Sequence, residues 1–130
     1  MIRIGIFLHF LCGSVAVLGG MAGMSNPEGV WGLTTEMLVN GPFDNFFVPS
    51  LFLFLVLGLG NISCGLVVLR NECFSMFSFI AFGMLQVAFI LVQVLLLWSF
   101  TPLHGIFLGM GFIQLAIGFR YLLQNLVKQN

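Results

Sequence analysis

One stretch constrains the rest of the chain: Gly41 to Arg70, GPFDNFFVPSLFLFLVLGLGNISCGLVVLR. From Pro49 to Leu69 it carries no charge. Those 21 residues make a helix about 31 Å long at about 1.5 Å per residue, which matches the roughly 30 Å hydrocarbon core of a bilayer. The strongly polar residue inside this run is Asn61, set among Gly58, Gly60, Cys64 and Gly65. The stretch reads as a membrane-spanning helix with one packed, hydrogen-bonding face.

Composition points the same way. Of 130 residues, 60% are hydrophobic and 6% charged, whereas a soluble domain carries about 25% charged residues. Lipid must therefore be the main solvent, and the lipid bilayer the first partner. The formal net charge is zero, and with no basic patch no nucleic-acid partner is expected. The length suits a single membrane domain over residues 1–130.

Three further apolar segments follow the same logic. Ile4–Met24 has 21 residues, more than the roughly 7–15 of a signal-peptide core, so a retained span over 4–24 is expected rather than a cleaved leader. Gly5, Gly13, Ala16, Gly20 and Gly23 recur along it at steps compatible with a helical stripe. Gly19 and Gly23 form a small-xxx-small pair that lets helices within the molecule approach closely. Cys73–Trp98, 26 residues, exceeds a vertical span, so 73–98 is expected to tilt or to begin at the interface. The fourth span, 103–123, runs through Arg120 and Tyr121 toward Leu123, with a polar tail from Gln124 to Asn130.

The connections set the topology. Residues 25–47 hold Glu28, Glu36 and Asp44 but no lysine or arginine, with turn signals at Asn26-Pro27 and Gly41-Pro42. Leu33–Val39 is expected to form a short interfacial helix, with Trp31 as an aromatic anchor. The second span is entered either through a cap at Asp44 or Asn45, or through Val48 before a helix starting at Pro49. Arg70-Asn71-Glu72 and Ser99–Pro102 leave room only for tight turns. Consecutive spans must then be antiparallel neighbours, and the expected fold class is an all-α integral membrane four-helix up-down bundle. Arg3, Arg70, Arg120 and Lys128 all fall on one side of it. The positive-inside rule puts that side, with both termini, in the cytoplasm and the acidic loop outside, as in a multi-pass cell-membrane protein. Trp31 and Trp98 then anchor the outer boundary and Tyr121 the inner one.

Each span carries a polar side chain: His9, Asn61, Gln86 with Gln93, and Gln114. Counted inward from the basic ends, His9 and Gln114 lie about 9 Å deep and Asn61 about 14 Å deep. These three are expected to meet in the inner half of the bundle. Gln86, roughly 20 Å from the Arg70 turn, sits nearer the middle, and Gln93 near the outer surface. Two readings follow. The polar residues are interhelical hydrogen bonds of about 0.6–2 kcal/mol each, or His9, Asn61, Gln86 and Gln114 form a ligand-binding polar pocket, since intramembrane histidine is often functional.

Several chemistries are disfavoured. His9 and His104 fall at opposite faces, and no helix has a second histidine or a carboxylate at ligand spacing, so neither a metal nor a cofactor is expected. Cys12, Cys64 and Cys73 lie toward the cytoplasmic half without a C-x-x-C, unlike quinone-linked disulfide enzymes, which need reactive pairs facing the oxidising side. Cys12 and Cys64 read as buried packing and Cys73 as a free interfacial thiol. Small multidrug exporters depend on a carboxylate within the first span, and no span here holds one. No serine–histidine–carboxylate set can be drawn, so an enzyme is not expected.

The segment PFDNFFVPSLFLFLVLGLGN before a basic turn resembles a widespread group of small bacterial four-helix membrane proteins. In these a Pro-Phe loop with a following Ile/Val-Pro enters a Leu/Phe-rich second helix; the matching positions are Pro42, Phe43, Val48, Pro49 and Gly58 to Asn61. More loosely, the layout is similar to DoxX-like proteins, whose best-known relatives are accessory subunits of quinone-linked sulfur oxidation. The resemblance implies a bacterial inner-membrane location and carries no catalytic residue with it. Asn61 and Phe74-x-x-Phe77-x-Phe79 are also similar to the pattern of small fluoride channels, whose other motifs are missing. The functional expectation is thus a non-enzymatic accessory or assembly subunit, with a membrane-protein partner or a homo-oligomer. The alternatives are a binder or carrier of a quinone- or lipid-like small molecule, and a small ion channel.

Overall fold

A computed structural model describes residues 1–129, and every regular element among them is helical. Four helices are long and apolar enough to cross a membrane: α1, Ile2–Ser25; α2, Phe47–Arg70; α3, Ser75–Leu97, entered through a 3₁₀ turn at Glu72–Phe74; and α4, Pro102–Gln129. The interfacial helix expected over Leu33–Val39 is a single 3₁₀ turn, Thr35–Leu38. α2 begins at Phe47, earlier than Pro49, with Phe46 at the cap position; of the expected caps Asn45 is engaged one residue before it, its Oδ1 accepting from the Phe47 amide at 3.0 Å. Pro49 then occupies the first turn, where its missing N–H has no intrahelical partner to lose. α4 continues past Leu123 to Gln129 because the tail, polar as it is, contains neither glycine nor proline.

The four helices form two antiparallel hairpins, α1–α2 and α3–α4, packed far more closely within each hairpin than between them. Glycine sets both seams. A Cβ on Gly13 would stand 2.9 Å from the Gly58 carbonyl oxygen, and one on Gly20 2.8 Å from the Phe54 nitrogen. In the second hairpin a Cβ on Gly83 would stand 2.9 Å from the Gly111 carbonyl, and one on Gly118 2.9 Å from the Ile80 nitrogen. Backbone stands against backbone, the close approach that small residues permit.

α2 offers Ser50, Phe54, Gly58 and Ile62 to α1, at successive steps of four. An α-helix turns once in about 3.6 residues and would drift off that line. The wider π-helical turn at Leu53–Leu59 absorbs the difference.

The hairpins meet most tightly at the end that carries Arg3, Arg70 and Arg120. There Leu8, Val68, Phe79 and Ile117, one from each helix, form a buried cluster. At the opposite end Leu38, Phe46 and Leu97 pin the long loop onto α3. α3 stops at Trp98, which adopts a left-handed conformation (φ 49°) where glycine is the usual residue.

Candidate functional site

Two polar features lie between the hairpins, at different depths. The first is a clasp in the half nearer the basic residues. His9, Asn61, Ser78 and Gln114, one from each helix, lie in contact, and His9, Asn61 and Gln114 are fully buried. Asn61 is oriented by its own helix, because its Nδ2 donates to the Leu57 carbonyl at 2.8 Å. Its Oδ1 therefore faces His9 Nδ1 at 2.7 Å and Gln114 Nε2 at 3.2 Å. An amide oxygen only accepts, so His9 must carry a hydrogen on Nδ1. The 3.5 Å approach of Gln114 Nε2 to that same nitrogen is then a contact between two donors converging on one oxygen.

His9 Nε2 faces Ser78 Oγ at 3.2 Å, while that hydroxyl also lies 3.1 Å from the Ser75 carbonyl. A serine hydroxyl has one hydrogen. With neutral His9 it donates to Nε2; turned to Ser75, it leaves its oxygen to accept from a protonated ring. Phe79 stacks on the imidazole at 5.1 Å and Phe82 meets its edge at 5.8 Å. Gln114 Oε1 is the buried side-chain polar atom without a partner among the described residues.

The second feature is a cavity of about 720 Å³ in the other half, beneath the acidic loop. α1 contributes the small residues Ala16, Gly19 and Gly23 to its wall. Its walls are chiefly apolar, among them Leu53, Leu57, Phe89 and Phe107, and the loop supplies Trp31. Polar groups enter at two levels. Gln86 lies at the inner end, 2% exposed; Ser50, Gln93 and His104 lie nearer the loop.

Both hydrogens of the Gln86 amide are engaged, one by the Phe107 carbonyl at 2.8 Å and one by Cys12 Sγ at 3.6 Å. Its Oε1 takes no donor among the described residues. His104 is fixed by a reciprocal cap. Its Nδ1 accepts from the Thr101 amide at 3.0 Å, and its own amide donates to Thr101 Oγ1 at 3.4 Å. This is a capping box with histidine in place of the usual Glu or Gln, and Pro102 sits at the first helical position. Since Nδ1 accepts, Nε2 bears the hydrogen.

The structure therefore divides the four residues singled out from sequence. His9, Asn61 and Gln114 fill their own space with mutual hydrogen bonds, whereas Gln86 alone of the four lines the cavity. Gln93, expected near the outer surface, lines the cavity too. Sequence reasoning passed over Ser78, Ser50 and the His104 cap; the Thr-Pro-Leu-His spacing signals the last, while nothing local signals the others. Among the described residues no group of three or more His, Cys, Asp or Glu could hold a metal ion. Cys12 is buried, Cys64 half-buried and Cys73 exposed, all as free thiols.

The chain matches no protein-family model, no curated protein and no solved structure.

Proposed function

We propose that this protein crosses a bilayer four times and binds or carries a small, largely apolar molecule in the cavity between its hairpins. The observation that carries the reading is the cavity itself. At about 720 Å³ it falls within the roughly 300–1,000 Å³ of small-molecule sites, and it has their usual make-up of apolar walls with a few placed polar groups. The molecule belongs to the lipid- or quinone-like class expected from sequence, at a site one level further from the basic end than the His9 cluster. The clasp serves as the hinge-end fastener that keeps the two hairpins in register while the other end stays apart.

Membrane insertion is supported by helix length and apolarity. The orientation follows from charge: Arg3, Arg70, Arg120 and Lys128 face the cytoplasm, and Glu28, Glu36 and Asp44 face outward. The cavity then opens toward the outer leaflet. The resemblance of the Pro42–Asn61 segment to small bacterial proteins makes a bacterial inner membrane the expected location. The accessory-subunit reading lacks a distinct docking patch. Exposed apolar side chains such as Phe7, Leu69, Phe77 and Ile106 are distributed over all four helices, as contact with lipid requires.

Mass spectrometry of organic extracts from the purified protein tests the reading. Gly19→Phe places a ring in the cavity while leaving the clasp untouched. A molecule that co-purifies with the wild type and is lost from a folded Gly19→Phe variant supports the proposal. Equal recovery from both refutes it. Orientation is tested separately with single cysteines at Asp44 and Lys128, which must react from opposite compartments.

A further inference from the structure

We infer that the cavity's ligand is a neutral alcohol: an apolar skeleton bearing a hydroxyl group and no charge. This rests on the cavity being a binding site, as proposed above, and names the chemistry that it selects. Three observations combine.

No charged side chain lines the cavity. The chain's arginines belong to the opposite end, so a phosphate or carboxylate would enter an apolar space without a counter-charge, at a prohibitive desolvation cost. A neutral head is required.

Two of the polar groups on offer, Gln86 and His104, have been fixed by their protein partners. Gln86 has spent both amide hydrogens on Phe107 and Cys12, so at the inner end of the cavity it can only accept. The ligand must bring a donor there. A ketone, ester, ether or plain hydrocarbon has none, and would leave the Gln86 oxygen unpaired once water is displaced. A hydroxyl satisfies it.

The cavity also holds a donor nearer the loop. The Thr101–His104 cap forces the histidine hydrogen onto Nε2. His104 stands three positions before Phe107, whose carbonyl anchors Gln86, so this donor lies nearer the loop than the acceptor. The Gln86 acceptor complements the ligand's O–H at the inner end, and the His104 donor stays available nearer the loop. The apolar remainder of the molecule lies along Leu53, Leu57 and Phe89.

Three probes that share one skeleton test the inference: farnesol, farnesoic acid at neutral pH, and farnesene. Each is titrated into purified full-length protein in nanodiscs. Trp98→Phe leaves Trp31, which lines the cavity, as the only fluorophore of its kind. Farnesol is expected to change Trp31 emission saturably and to bind about tenfold more tightly than farnesene, the value of one net hydrogen bond. Farnesoate is expected to bind more weakly still. Gln86→Met, which keeps length and removes the acceptor, is expected to erase the preference of farnesol over farnesene. If farnesene or farnesoate binds as well as farnesol to the wild type, the alcohol assignment falls while the cavity reading stands. If none of the three gives a saturable signal, both fall. The wild-type comparison decides the matter even where Gln86→Met does not fold.

Discussion

Replacing Asn61 with leucine removes the centre of the clasp while keeping the branching and the number of side-chain heavy atoms. Its Oδ1 takes two interhelical hydrogen bonds, from His9 at 2.7 Å and from Gln114 at 3.2 Å. In a membrane interior each contributes about 0.6–2 kcal/mol, which sums to about 1–4 kcal/mol. The change also strands a His9 N–H and a Gln114 N–H where no water reaches, beside a Gln114 Oε1 that already lacks a partner. Unpaired buried groups cost about 1–3 kcal/mol each, though in membranes the unfolded reference recovers part of that. The expected destabilisation is about 2–4 kcal/mol. Unfolding in mixed SDS micelles measures it, followed by alkylation of Cys12, which is 1% exposed in the folded protein. A double-mutant cycle with Gln114→Leu isolates the pair, with an expected coupling of about 1 kcal/mol. The ligand response of Trp31 should survive, because Asn61 does not line the cavity. A loss below about 0.5 kcal/mol, the level of an uninvolved surface change, or strict additivity in the cycle would refute the clasp.

The remaining predictions address separate parts of the molecule. Gly83→Ala should destabilise by about 1–3 kcal/mol, because its methyl would meet the Gly111 carbonyl at 2.9 Å. Gly109→Ala, with nothing within 4 Å, should instead be neutral or stabilise by up to about 1 kcal/mol; both are read from the same unfolding curves. Nitrogen-15 spectra should find neutral His9 protonated on Nδ1 and His104 on Nε2, opposite tautomers in one chain. A polar maleimide should label Cys73 first, Cys64 more slowly and Cys12 only on unfolding, following their exposure. Thr101→Val should cost about 0.5–2 kcal/mol through loss of the α4 cap, read from the same unfolding curves.

Much of the fold can be read along the chain because the quantities involved are axial. Rise per residue and hydrocarbon thickness delimit four apolar helices, and short turns make neighbours antiparallel. Depth counted from Arg3, Arg70 and Arg120 puts His9, Asn61 and Gln114 in the same half of the bundle, where they are hydrogen-bonded to one another. The α4 start at Pro102 falls one residue before the 103 expected, with the Thr101–His104 cap passed over, and local signals leave Asp44 and Asn45 as rival caps. Glycine spacing announces close seams, but not which helix lies across each one.

What the tertiary structure decided is angular. How far each helix is rotated, and how widely the hairpins splay, depends on contacts between residues distant in sequence: Gly5 against Phe79, Gly13 against Gly58, Gly83 against Gly111. Rotation aims Gln86 into open space while His9, Asn61 and Gln114 close on one another. The π-helical turn of α2 exists to serve a seam that only α1 defines. The cavity follows from two hairpins that are tight inside and joined at one end, so the space between them is a property of the assembly and of no single segment.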